Sequence, residues 1–124
     1  MPKLSKNKPK VIGIVGSRRR DTDEDYRRCL AVFEKVYRKG DRIVSGGCPK
    51  GGDKFAEIIA KAKGITIIIH YPDWSQGRFA GFSRNTDIAK DCTVLIAVVA
   101  EDRTGGTEDT VKKVLALGKQ VLLA

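Results

Sequence analysis

The sequence predicts an α/β fold: a doubly wound parallel sheet of about five strands with helices on both faces. Three observations carry this. Short apolar runs alternate with amphipathic stretches over the 124 residues, in the order β-α-β-α-β-α-β-α-β. Such alternation means parallel strands, which need a crossover helix where antiparallel ones need only a hairpin. The runs are continuous rather than alternating in polarity, as expected of strands buried on both faces. Glycine-bearing loops follow the first, second and fourth runs, where such sheets place their ligands.

Taken in order, residues 1–9 are rich in Lys with two prolines, and read as a basic, disordered tail. A single domain is expected over residues 10–124. Val11–Val15 is the first strand, ended by Gly16. Thr22, followed by Asp23, Glu24 and Asp25, suits a helix start, because a hydroxyl and carboxylates meet unsatisfied amides there. Tyr26, Leu30, Phe33 and Tyr37 recur at helical spacing before Gly40. Ile43-Val44 is a short second strand. Asp53 can cap a helix whose inner face holds Phe55, Ala56 and Ile59 and which Gly64 stops. Ile65–Ile69 is the third strand and His70–Ala80 a loop. Ser83 can cap a helix through Ile88 and Ala89. Thr93–Val99 is the fourth strand, Thr107 a cap for a helix carrying Val111, Val114 and Leu115, and Gln120–Leu123 the last strand.

The net charge is +9, from 24 Lys and Arg against 15 Asp and Glu. It is concentrated early: residues 1–50 carry 14 basic and 6 acidic side chains, and residues 51–124 carry 10 and 9. With a pI near 9.7, the balance admits a nucleic-acid partner through the basic tail. No apolar run approaches the ~18 residues of a membrane span, so no membrane is expected. Cys29, Cys48 and Cys92 are scattered and odd in number, which reads as reduced thiols and a cytoplasmic location. One His and no clustered Cys give no basis for a metal site.

The candidate ligand residues lie at strand ends: Gly16, Ser17 and Arg18; Gly46, Gly47, Gly52 and Asp53; and Gly105, Gly106 and Thr107. Glycine lets a backbone approach a ligand, and amides at a helix start form an anion site. Ser17 adds a hydroxyl, and Arg18 a planar fork suited to phosphate. Arg84 and Asn85 sit near an expected helix start, where a cation opposes the dipole. The bland alternative for Arg84 is a pair with Asp87. Tyr71 and Trp74 can stack on a base or plug the sheet. His70 is a candidate base, Cys48 a nucleophile without an evident activator, and Asp53, Glu108 and Asp109 are candidate acids. Arg19 and Arg20 read as balancing Asp21, Asp23, Glu24 and Asp25, and Arg27 and Arg28 as solvated. The glycine placement favours strand order 3-2-1-4-5, with the crevice between the first and fourth strands, over a flavodoxin-like 2-1-3-4-5.

The ordered set Ile14-Val15-Gly16-Ser17-Arg18, Val44-Ser45-Gly46-Gly47, Gly51-Gly52-Asp53, Tyr71-Pro72-Asp73-Trp74, Gly81-Phe82-Ser83-Arg84-Asn85 and Gly105-Gly106-Thr107 resembles the SLOG superfamily, in particular its YspA/cpYpsA-related single-domain branch. The resemblance runs from about Val11 to Leu123. It implies a Rossmann-like sheet and a nucleotide or nucleotide-derived ligand. The superfamily includes DNA-processing protein A, a single-stranded DNA binder, and the LONELY GUY phosphoribohydrolases. The phosphoribohydrolase motif P-G-G-x-G-T-x-x-E is incomplete here, because Thr110 stands where its catalytic Glu would be. The expected function is therefore binding of a phosphate-bearing nucleotide ligand. A nucleotide N-glycosidase and a DNA- or RNA-binding protein are the alternatives. No further cofactor is implied, and a homo-oligomer is left open.

Overall fold

The computed structural model describes residues 8–77 and 79–124; most of the expected tail, residues 1–7, lies outside the described residues. The chain runs β1 (Val11–Gly16), α1 (Asp23–Val36), β2 (Arg42–Ser45), α2 (Gly52–Lys63), β3 (Ile67–Ile69), a 3-10 turn (Trp74–Gln76), α3 (Ala80–Asp91), β4 (Val94–Val98), α4 (Gly106–Ala116) and β5 (Gln120–Leu123). All five strands are parallel, in the order β3-β2-β1-β4-β5.

Two residues of period along each strand divide the core. Ile12 and Ile14 of β1, Ile43 of β2, and Ile96 and Val98 of β4 meet Cys29, Phe33, Phe55 and Ile59 from α1 and α2. Their neighbours Val15, Val44, Leu95 and Ala97 face the other way, onto Ile88, Val111 and Val114 from α3 and α4. Each fully buried aromatic or branched side chain removes enough apolar surface from water to contribute about 1.5–3 kcal/mol. The two helix pairs lie on opposite faces because parallel crossovers are right-handed: the chain steps from β1 out to β3, then returns past β1 to β4 with the opposite sense. The reversal lies between β1 and β4.

The helix starts show where local signals reach their limit. Thr22 caps α1 through a reciprocal capping box with Asp25. The other three helices have no capping side chain. Asp53 is not a cap: α2 begins at Gly52 with Gly51 as N-cap, and Asp53 is in the first turn. Ser83 is not a cap either, since α3 begins at Ala80. Arg84 therefore sits in the second turn, where the dipole conflict has largely faded. Thr107 follows a helix start at Gly106, with Gly105 as N-cap.

Gly52 is one of the tightest points of the fold. A Cβ there would overlap the backbone of Val15 and Gly16, so α2 rests directly on the end of β1. Gly118, by contrast, has positive φ (74°) and open space around it. Gly52→Ala is expected to cost about 2 kcal/mol or more through backbone displacement. Gly118→Ala is expected to cost only ~1–2 kcal/mol, through its left-handed backbone. Urea denaturation of the two variants against the wild type checks the order.

Candidate functional site

At the carboxyl end of the sheet, where the crossover reverses, β1 and β4 diverge around a cleft of about 380 Å³. That volume falls within the ~300–1,000 Å³ typical of small-ligand pockets. Its lining brings together Gly16, Ser17, Arg18, Asp53, Arg84, Asn85, Gly105, Gly106 and Thr107 from the sequence-based set. The ladder continues one step past β1 through the Ser17 amide, which donates to the Val98 carbonyl at 2.9 Å, so Ser17 is fixed at the junction. Arg18 is exposed and makes no hydrogen bond or ion pair among the described residues. Opposite it, α4 begins with no capping side chain, and neither Gly105 nor Gly106 has an atom within 4 Å of a notional Cβ. The first amides of a helix have no partner inside it, so this end offers donors and a positive dipole to an anion.

The second glycine loop does different work. Gly46 leaves room for the Arg84 guanidinium and the Asp53 carboxylate, which come within 2.5 and 2.7 Å of where its Cβ would stand. Gly47 lies against the Tyr71 ring and Gly52 against β1. These three shape the surroundings of the cleft without lining it. Tyr71 and Trp74 also lie outside it, 66% and 63% exposed, so Trp74 is no core plug.

Two buried polar residues form the floor. Asn85, 5% exposed, accepts from Arg84 Nε at 2.9 Å and donates to the Gly106 carbonyl at 3.3 Å and to Asp109 at 3.1 Å. Its amide is engaged on both sides, so it positions Arg84 and the start of α4 together. Arg84 also donates through Nη1 to the Gly46 carbonyl at 2.5 Å, and a pair with Asp87 is not formed. Asp53 is 6% exposed and accepts from the Cys48 amide at 3.2 Å. Burial pushes its carboxyl up to about 6; the Cys48 amide, the Arg84 charge, Ser45 and the Gly16 amide act in the opposite direction. Perturbed carboxyls of this kind concentrate in functional clefts.

The other candidate acids are engaged elsewhere. Glu108 holds Arg103 through two bonds of 2.8 and 3.0 Å, and Asp109 is bound by Asn85 and Lys113. Neither lines the cleft, whereas Thr110, 1% exposed, does. His70 pairs with Asp91 at 2.5 Å, away from the cleft. Cys48 lines it, and Cys29 and Cys92 are buried free thiols. Among the described residues, no group of His, Cys, Asp and Glu could hold a metal ion. Nor, among the described residues, is any helix long and apolar enough to cross a membrane.

Arg19 is the cleft residue that charge balance misassigned. It does not neutralise the α1 acids. It forks onto Asp102 at 2.8 and 2.9 Å and onto the Thr104 carbonyl and hydroxyl at 3.1 and 2.8 Å, tying the loop after β1 to the loop after β4. The pair spans 83 positions, so nothing local announces it. Thr110 carried a weak signal, being one helical turn beyond Thr107. Arg20 matches the expectation in part, pairing with Asp25 at 3.0 Å while also donating to the Val99 and Ala124 carbonyls.

No protein-family model matches the chain, and no curated protein does. Solved structures do. One is DNA processing protein A from Streptococcus pneumoniae, with a TM-score of 0.74 and 23% identity over 93% of this chain. The fold is shared with DNA processing protein A. The match covers 50% of that chain, so the present chain spans half its length. A second structure, the structural genomics target TM1055, superposes with a TM-score of 0.68 and 21% identity over 92% of this chain and 72% of the other. DNA processing protein A is one of the proteins to which the SLOG resemblance points, and the resemblance is borne out at the level of the fold.

Asp53 gives the cleft a pH signature. Its proton is held to about pH 6 in the folded chain, against an ordinary 3.8. The folded state therefore binds more protons between those values, and stability falls as pH rises through the window. Asp53→Asn is expected to remove that fall. Relative to the variant, the wild type should lose about 2 kcal/mol between pH 4 and 7. Thermal melts of both chains across that range check the sign; parallel profiles would refute it.

Proposed function

We propose that the cleft between β1 and β4 binds a nucleotide or nucleotide-derived ligand through its phosphate. The observation that carries the reading is the convergence of unengaged donors on one concavity: the uncapped start of α4, the Ser17 hydroxyl and the Arg18 guanidinium. Arg84, fixed by Asn85 and the Gly46 carbonyl, adds a second cation. A phosphate meets oriented amides, which need no reorganisation, and a guanidinium fork matched to its oxygens. The reading fits a neighbour named as a DNA-processing protein, although the likeness itself concerns the fold. It rests on the cleft and not on the basic tail.

Nucleotides at millimolar concentration are expected to raise the melting temperature, since a ligand at 100 times its Kd stabilises by ~2.7 kcal/mol. Arg18→Ala should weaken binding about tenfold with little change in the ligand-free melt, because Arg18 makes no contact that holds the fold. A panel of mono- and dinucleotides that leaves the melt unchanged would sink the proposal.

A hydrolytic reading has one specific observation behind it: Asp53, a carboxyl raised to about 6, lines the cleft. Ionised at neutral pH, it could accept a proton from water attacking the sugar carbon as the base leaves. Thr110 in place of the Glu of the phosphoribohydrolase motif weighs against it. Chromatography of nucleoside monophosphates incubated with the protein is expected to show base release no faster than in buffer. Release that is abolished by Asp53→Asn would establish the enzyme instead.

A further inference from the structure

The cleft lining is not uniformly cationic. At one end are Arg18 and the open start of α4; in the floor lies the Asp53 carboxylate. A purely anionic ligand would gain at the first and be repelled at the second. A buried carboxylate in a phosphate-binding cleft therefore calls for a ligand that also carries hydrogen-bond donors.

The surroundings of Asp53 restrict which donors fit. The Cys48 amide donates to Oδ2 at 3.2 Å. The Ser45 hydroxyl, with a single proton, donates to the Ile14 carbonyl at 2.5 Å. A carboxylate offers about four acceptor positions; with the Cys48 and Gly16 amides directed at it, Asp53 retains capacity toward the cleft. Its charge is already opposed by Arg84, which Nε bonding to Asn85 and Nη1 bonding to Gly46 hold in place. A second cation, such as a ligand ammonium, would meet Arg84 as a like charge. Neutral hydroxyls would not. Gly46 makes this possible, because any side chain at that position would occupy the space between the guanidinium and the carboxylate.

We propose that Asp53 is a specificity-determining residue which accepts hydrogen bonds from the ribose hydroxyls of a 5′-phosphorylated riboside, while the α4 amides and Arg18 take the phosphate. This rests on reading the cleft as a phosphate site. Asp53 selects ribose over deoxyribose, because loss of a hydroxyl leaves a buried acceptor without its partner.

The test uses three probes without a base: methyl ribofuranoside 5-phosphate, its 2-deoxy counterpart and methyl phosphate. Binding of each to the wild-type chain and to Asp53→Asn is measured by calorimetry at pH 8. The wild type is expected to bind the riboside at least about tenfold more tightly than the deoxyriboside, and the ratio to fall several-fold in Asp53→Asn, which has one uncharged acceptor oxygen in place of two charged ones. Equal affinities in the wild type overturn the proposal without help from any variant. A ratio that persists in Asp53→Asn overturns it too, and Asp53→Ser reads the same ratio should the Asn variant unfold. Failure of all three probes, methyl phosphate included, removes the phosphate site itself and this proposal with it. Methyl phosphate binding with no ribose preference removes the proposal alone.

Discussion

The pairing of β1 with β4 is the constraint on which the rest of the molecule depends. It runs in parallel from Ile12 opposite Val94 to Gly16 opposite Val98, and the Ser17 amide extends it one step further. Because successive crossovers share one hand, β4 reaches the free side of β1 only by carrying α3 and α4 onto the face opposite α1 and α2. The strands are adjacent, but the chains leaving them diverge to opposite faces. The cleft is that divergence. The alternate side chains of the same two strands supply both cores, so what opens the site also anchors it.

Glycine is used in two ways around this point. At Gly52 the missing Cβ lets α2 seat on the backbone of Val15 and Gly16, and that contact is filled. At Gly105 and Gly106 the space is left open and the amides face a cleft. The three glycine loops look alike in the sequence; they differ in what stands opposite. Helix capping divides similarly. α1, whose start is sealed by Thr22 and Asp25, takes no part in the cleft lining, whereas the uncapped α4 does. An N-terminus without a side-chain cap keeps its donors available.

The charge of the chain also divides by use. Lys10 is drawn into the fold by Asp41, which accepts from both its amide and its ammonium at 2.7 Å. Arg19 and Arg103 fasten the loop before α4 through Asp102 and Glu108. Exposed pairs of this kind contribute little to stability, typically 0–1 kcal/mol, so their effect is to hold loop geometry. Arg18 and Arg84 remain to face the cleft, with Asp53 between the glycine loops as the opposing charge.

The alternation of elements and the Thr22 cap were legible in the sequence, and the glycine loops favoured the observed strand order and marked candidate ligand residues at the carboxyl edge. The first two follow from hydrophobic period and local propensity; the strand order was a choice between two arrangements that right-handed crossovers equally allow. The starts of α2, α3 and α4 were less legible, because a helix without a capping side chain leaves no local mark of its beginning. The sequence by itself determined a doubly wound sheet with ligand-grade residues on one edge. Only the tertiary structure decided which glycines are packed and which are open, that Arg19 belongs with Asp102, and that Asp53 rather than Glu108 or Asp109 meets the cleft. Those outcomes depend on distances between segments far apart in the chain, and a periodic pattern carries no information about what a residue will find across the fold.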